Sequence, residues 1–123
     1  MARHNELGKE GEQQALQMLK AKGYTILETN WRNYKVEVDI IATDKDELVI
    51  VEVKTRSTDY FGDPEEAVGP AKARNLIRAA EAYIELNDLD TDVRFDIVSI
   101  ILKNGKAVIR HIEDAFYAAD FQL

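Results

Sequence analysis

Val36-Glu37-Val38-Asp39-Ile40-Ile41-Ala42 and Leu48-Val49-Ile50-Val51-Glu52-Val53-Lys54 are two runs rich in β-branched residues, separated by the polar segment Thr43-Asp44-Lys45-Asp46-Glu47. Such runs predict two strands, and the polar segment predicts a hairpin turn between them. A two-residue turn at Lys45 and Asp46 sets Asp39 opposite Glu52 and Glu37 opposite Lys54, all on one face. Directly opposed Cβ atoms lie about 4.5–5.5 Å apart, so two carboxylates meet with a lysine beside them. Like charges at that spacing destabilise a sheet unless something positive lies between them, and a hard divalent cation with oxygen ligands is the economical choice. For Glu37 the simpler reading is a cross-strand pair with Lys54. Asp39 and Glu52 share their face with Ile41, Leu48 and Ile50, which need cover from a helix.

On the N-terminal side, Glu6 to Lys22 carries Gly8, Gly11, Ala15, Leu16 and Leu19 at spacings of three and four, which predicts a helix ended by Gly23. Glu12 lies on the same face, so this helix is one source of cover for the hairpin and brings a third carboxylate with it. An acid near a helix N-terminus is also favoured by the helix dipole without any further role. Gly8 and Gly11 weaken the helix, and they either permit close approach of a partner element or merely mark a frayed start. Tyr24 to Asn30 predicts a strand, with Asn33 in the turn that follows.

On the C-terminal side, a polar loop from Thr55 to Gly69 leads to Pro70, which opens a helix to about Asn87 with Ala73, Leu76, Ile77, Ala80, Tyr83 and Ile84 as its apolar stripe. Arg94 to Leu102 predicts a fourth strand, Asn104-Gly105 a hairpin turn, Ala107 to Ile112 a fifth strand, and Asp114 to Phe121 a short terminal helix. The element order is therefore α-β-β-β-α-β-β, read as one domain over residues 1–123.

The composition bounds what this domain does. With 123 residues, a formal charge of −7 and no cysteine, thiol chemistry and disulfide staples are excluded, and a reducing cytoplasm is the expected location. No apolar run is long enough to span a membrane. The acidic balance argues against a generic nucleic-acid binder, but its distribution is uneven. Glu81, Glu85, Asp88, Asp90 and Asp92 fall in a stretch without a basic residue, whereas Lys54, Arg56, Lys72, Arg74 and Arg78 fall close together.

These residues carry a family resemblance. Asp39 followed by Glu52-Val53-Lys54 resembles the D...ExK core of restriction-endonuclease-like nucleases, although the proline that often precedes the aspartate is absent. Over nearly the full length the chain resembles the YraN-type family of small bacterial proteins, through Gly8, Gly11-Glu12, Ala15, Gly23-Tyr24, Asn30, both strand motifs, Phe61-Gly62-Asp63-Pro64-Glu65-Glu66-Ala67-Val68, Lys72, Arg94-Phe95-Asp96 and Ala115-Phe116. A helical glutamate ahead of the core is also similar to archaeal Holliday-junction resolvases. The resemblance implies an α/β fold with a restriction-endonuclease-like core and a mixed five-stranded sheet flanked by helices. It also implies a metal site of Asp39, Glu52 and the Val53 carbonyl, with Glu12 contributing.

The expected activity is a nuclease dependent on magnesium, with manganese as substitute, acting on nucleic acid and DNA first of all, in branched or structured form. Asp39, Glu52, Lys54 and Glu12 are its catalytic candidates, Lys54 positioning water or offsetting developing charge. Lys72, Arg56, Arg32, Lys35 and Tyr60 are candidates for contacting nucleic acid, and Lys72 reads equally as an ordinary surface lysine. Trp31, Arg32, Tyr34 and Lys35 combine stacking and phosphate-binding residue types, with core packing the alternative for Trp31. Asp96 aligns with Val98 and Ile100, which turns it inward to an ion pair with Lys72 or Arg94. His4 and His111 are isolated in that neither has a histidine partner at metal-ligand spacing, and they receive no chemistry. Two rival readings remain: a binding module without turnover, and a protein-interaction subunit using the acidic segment. A homodimer follows only if the substrate is a two-fold junction.

Overall fold

The computed structural model describes residues 2–57 and 68–121, with side chains from residue 6 onward. Helix α1 spans Ala2–Ala21, and strands β1 (Thr25–Asn33), β2 (Val36–Asp44) and β3 (Glu47–Arg56) follow as an antiparallel meander. Helix α2 (Pro70–Leu86) then leads to β4 (Asp92–Lys103) and β5 (Lys106–Phe116), with a final 3-10 turn at Ala118–Phe121. The sheet order is β1-β2-β3-β4-β5, and β3 and β4 are the parallel pair, as a helical crossover requires. The fold is thus α/β, a mixed five-stranded sheet flanked by two helices.

Alternation along the strands builds two cores. Ile40, Ala42, Val49, Val51, Val98 and Ile100 pack under Ala15 and Leu19 of α1 on one face. Ile41, Leu48, Ile50 and Phe95 pack under Leu76, Ala79, Ala80 and Tyr83 of α2 on the other. This corrects the expected placement of the first helix over Ile41, Leu48 and Ile50, because α2 covers that face. Periodicity separates the two faces of a strand but carries no label saying which helix takes which. Gly23, at φ 95°, ends α1 in the left-handed conformation that glycine adopts without steric cost.

Strand β5 runs farther than its apolar pattern suggests. Residues expected to start a terminal helix instead continue the ladder past an irregularity, so that Ile97 faces Ile112 and Phe95 faces Phe116. Phe116 stacks on Phe95 at 4.8 Å between centroids. The irregularity serves Asp96, which is 1% exposed and accepts a hydrogen bond from the Asp114 backbone N–H at 3.1 Å. Arg94 Nε donates to Asp96 Oδ1 at 2.9 Å, and Tyr24, which bridges Arg94, Asp96 and Glu113, closes the network beneath the end of α1. Of the two partners proposed for Asp96, Arg94 is the one present. His111 joins the same network: its Nε2 lies 2.7 Å from Asp96 and its Nδ1 2.8 Å from Lys22 Nζ. A lysine ammonium only donates, so Nδ1 accepts and Nε2 carries the hydrogen to Asp96.

Candidate active site

The β2–β3 hairpin has the register expected from its turn, with Asp44 opposite Glu47 and Ile40 opposite Val51. The ladder stops there, one position short of Asp39 and Glu52. Beyond it β2 pairs with β1, and β3 pairs with β4 along its whole length. The alternation of β2 also slips at this point, since Val38 belongs to the α2-side core and Ile40 to the α1-side core. On β1 the register places Asn30, at φ 51°, opposite Asp39. Asp39 therefore sits at a twist where two strands part, and one carboxylate is exposed to groups from both faces of the sheet.

In that gap Asp39 Oδ2 accepts a hydrogen bond from the Val53 backbone N–H at 2.8 Å. Glu52, 5% exposed, forms an ion pair with Lys72 of α2, its Oε2 lying 2.5 Å from the ammonium. Burial raises the affinity of Asp39 for its proton above that of an ordinary aspartate, against the opposing effects of the Val53 N–H, a hydrogen bond with Glu52 and the charge of Lys72. Burial and then the charge of Asp39 push Glu52 up to about 7, against the pull of Lys72. For Lys72, burial works against the charge, but the hydrogen bond and charge of Glu52 outweigh it and hold the group above the usual lysine value. Half-buried Asp39 and buried Glu52 are thus a carboxyl pair in which each group holds its proton more tightly than an ordinary carboxyl does.

On the α1 side, Glu12 accepts a hydrogen bond from Asn30 Nδ2 at 3.0 Å. Burial raises its proton affinity, the charge of Asp39 adds to that rise, and the Asn30 amide opposes it. A groove of about 430 Å³ runs here, lined by Lys9, Glu12, Asn30, Asp39, Val53 and Lys54 among others. The approach of α1 depends on Gly11, where a Cβ would lie 1.8 Å from Thr55 Oγ1; Gly8 has nothing comparable near it. Of the two readings of these glycines, Gly11 follows the first, a close approach.

The sequence candidates divide accordingly. Asp39, Glu52 and Lys72 come together, and Glu12, Lys54 and the Val53 backbone border the same groove. Among the described residues, no three acidic, histidine or cysteine side chains form a group able to hold a metal ion, and Glu12 stands on Asn30 beside the carboxyl pair. The Glu37–Lys54 pair expected from the register does not form: with the ladder ended, Glu37 pairs instead with Arg32 across β1 at 2.7 Å. Trp31, half-buried, packs edge-on against Tyr83 at 5.2 Å at the margin of the α2-side core. Lys35 lies in the β1–β2 turn, Arg56 ends β3, and Tyr60 lies outside the described residues. The residue missed was Asn30; its signal was an asparagine inside an otherwise extended run, the residue type that tolerates positive φ.

Comparison with known proteins adds the relationship. The family described as "Uncharacterised protein family UPF0102" matches residues 11–100, a span that includes Glu12, Asp39, Glu52, Lys54 and Lys72. The chain belongs to the UPF0102 family. A UPF0102 protein of Flavobacterium psychrophilum is 51% identical over 117 residues, covering 95% of this chain and 98% of the relative. One from Bacteroides thetaiotaomicron is 52% identical over 117 residues, covering 95% and 97%. UPF0102 relatives thus match this chain over nearly their whole length. No helix among the described residues is long and apolar enough to cross a membrane.

Proposed function

We propose that this UPF0102 chain is a magnesium-dependent nuclease on a restriction-endonuclease-like core, hydrolysing phosphodiester bonds in DNA that is branched or otherwise structured. The observation that carries this reading is the meeting of half-buried Asp39 with buried Glu52 at the gap between β2 and β3, with Lys72 bound to Glu52 and Lys54 on the adjoining groove. The donor set suits magnesium in its chemistry: two hard carboxylates, Asp39 and Glu52, that meet where β2 and β3 part, with the Val53 carbonyl as the third oxygen this reading calls for and Glu12 on the adjoining groove. When bound, magnesium, or manganese in its place, polarises a phosphate and lowers the pKa of water. The chain's own groups do the rest. Asp39 is held in place by the Val53 N–H, Lys54 offsets negative charge developing on the phosphate, and Lys72 steadies Glu52 and meets a neighbouring phosphate.

One observation favours a second reading. Lys72 forms an ion pair with Glu52, which also suits a binding module that needs no turnover. The experiment is magnesium- and manganese-dependent cleavage of single-stranded, duplex, flapped and four-way-junction DNA, and of RNA, with Asp39→Asn/Glu52→Gln as control. Cleavage that disappears in the control supports the nuclease and names its substrate form. Absence of cleavage across the panel, with the protein folded and magnesium bound, overturns it in favour of the binding module. Divalent-ion binding unchanged in the control removes the proposed metal site, and loss of metal binding rather than turnover in Lys54→Ala removes the role given to that lysine.

A further inference from the structure

Tyr34 occupies the tip of the β1–β2 hairpin, between Asn33 and Val36, which pair across the turn. It is 97% exposed, so hydrophobic burial does not account for it. Its φ is 57°, a region that a bulky side chain enters only with strain and that asparagine or glycine adopts more readily. Neither packing nor turn chemistry therefore favours tyrosine at this place. Both tell against it, and strain of this kind points to a role beyond stability.

The surroundings give the chemistry of the partner. Lys35, the next residue, lines a groove of about 270 Å³ with Val36, Glu37, Lys72, Asn75 and Leu76. Lys72 in that groove is the residue bonded to Glu52, and Glu37 also lines the neighbouring groove that holds Asp39, Glu12 and Lys54. Arg32 on the same hairpin keeps 75% of its side chain exposed while pairing with Glu37. An exposed aromatic ring is thus followed by a groove in which Lys35 and Lys72 stand with Glu37, and Arg32 and Lys72 are each paired with one carboxylate. Aromatic rings beside a basic path are how unpaired bases are held, by stacking on the base face while cations follow the phosphates.

We propose that Tyr34 stacks on an unpaired base, so that the substrate class is DNA with bases displaced from the helix close to the site of attack, in preference to continuous duplex. This rests on the nuclease or nucleic-acid-binding reading above and adds the feature of the substrate that is recognised. A fully paired duplex offers no free base face to the ring, whereas a flap, loop or junction does.

The test uses the full chain in calcium, with two fluorescent probes: a duplex DNA, and the same duplex with a central unpaired loop carrying 2-aminopurine. The wild-type chain is expected to prefer the looped probe and to quench the 2-aminopurine. Tyr34→Asn is expected to weaken binding to the looped probe about tenfold, or about 1.4 kcal/mol, and to abolish the quench. Its melting temperature should stay the same or rise, because asparagine relieves the turn. Tyr34→Trp should keep both preference and quench. Binding of both probes with the same ratio in Tyr34→Asn as in the wild type overturns this inference alone. Failure of the wild-type chain to bind either probe overturns the nucleic-acid reading and this inference with it.

Discussion

Replacing Gly11 by alanine separates two effects that normally act together. In an exposed helix interior the change stabilises by about 1 kcal/mol, because alanine loses less backbone freedom on folding than glycine does. Here the new Cβ would lie 1.8 Å from Thr55 Oγ1 and 2.7 Å from both Cβ and Cγ2 of that residue. Of those atoms the Cβ is fixed by the β3 backbone, so rotation of the threonine side chain moves Oγ1 and Cγ2 but cannot remove the Cβ. Overpacking of this kind costs about 1–3 kcal/mol, and three contacts below van der Waals distance place it at the upper end. The net expectation is a loss of about 2 kcal/mol, read as a lower urea midpoint and a fall of roughly 6–10 °C in melting temperature. In a Thr55→Gly background all three atoms are gone, and the same change should stabilise by about 1 kcal/mol. The coupling between the two sites is then about 3 kcal/mol. If Gly11→Ala stabilises equally in both backgrounds, the close approach of α1 to β3 is wrong, and so is the placement of Glu12 beside Asp39.

Two further predictions concern protons. Glu52 is pushed up to about 7, above the ordinary glutamate value of about 4.3, so its protonation favours the folded chain. That contribution is complete below the unfolded value and is lost as pH rises through about 7. The wild-type urea midpoint should therefore carry a fall between pH 5 and pH 8 that Glu52→Gln lacks, and equal profiles for the two proteins would refute this. Asp96 behaves in the opposite sense: burial raises its proton affinity, but the hydrogen bonds from His111, Arg94 and the Asp114 N–H outweigh burial and hold it below the usual aspartate value. Its contribution is present above about pH 3.9 and is lost as pH falls through the lowered folded value. Asp96→Asn should remove that acid-sensitive part. Arg94→Met should cost about 3–5 kcal/mol at neutral pH by stripping a buried carboxylate of its main cation, and a loss below 1 kcal/mol would sink the network as a stabilising device.

Much of the fold and part of the site were legible in the residues themselves. Turn chemistry at Lys45 and Asp46 set the β2–β3 register, since a two-residue loop leaves one pairing, and Asp44 does face Glu47. The stripe from Ala73 to Ile84 marked α2: Ala73, Leu76, Ala80 and Tyr83 are buried as expected, Ile77 and Ile84 only partly, and Ala79 is buried beside them. Other features depend on what arrives from far along the chain. Lys72 reaches Glu52 because the β3–α2–β4 crossover lays α2 on that face, and a helical pattern alone does not say which side of the sheet it covers. Local spacing extended the hairpin through Asp39 and Glu52, whereas the ladder ends at Ile40 and Val51, where the alternation of β2 slips between Val38 and Ile40.

Local sequence thus determined the identity of the elements and the meeting of Asp39 with Glu52 at one end of a hairpin, because propensity, periodicity and short turns act over a few residues. Tertiary structure decided that the strands part there, that Lys72 rather than Lys54 binds the pair, and that Arg94, Tyr24 and His111 converge on Asp96. Those outcomes are set by which surfaces the sheet and its two helices bury against each other, and that is a property of the assembled chain.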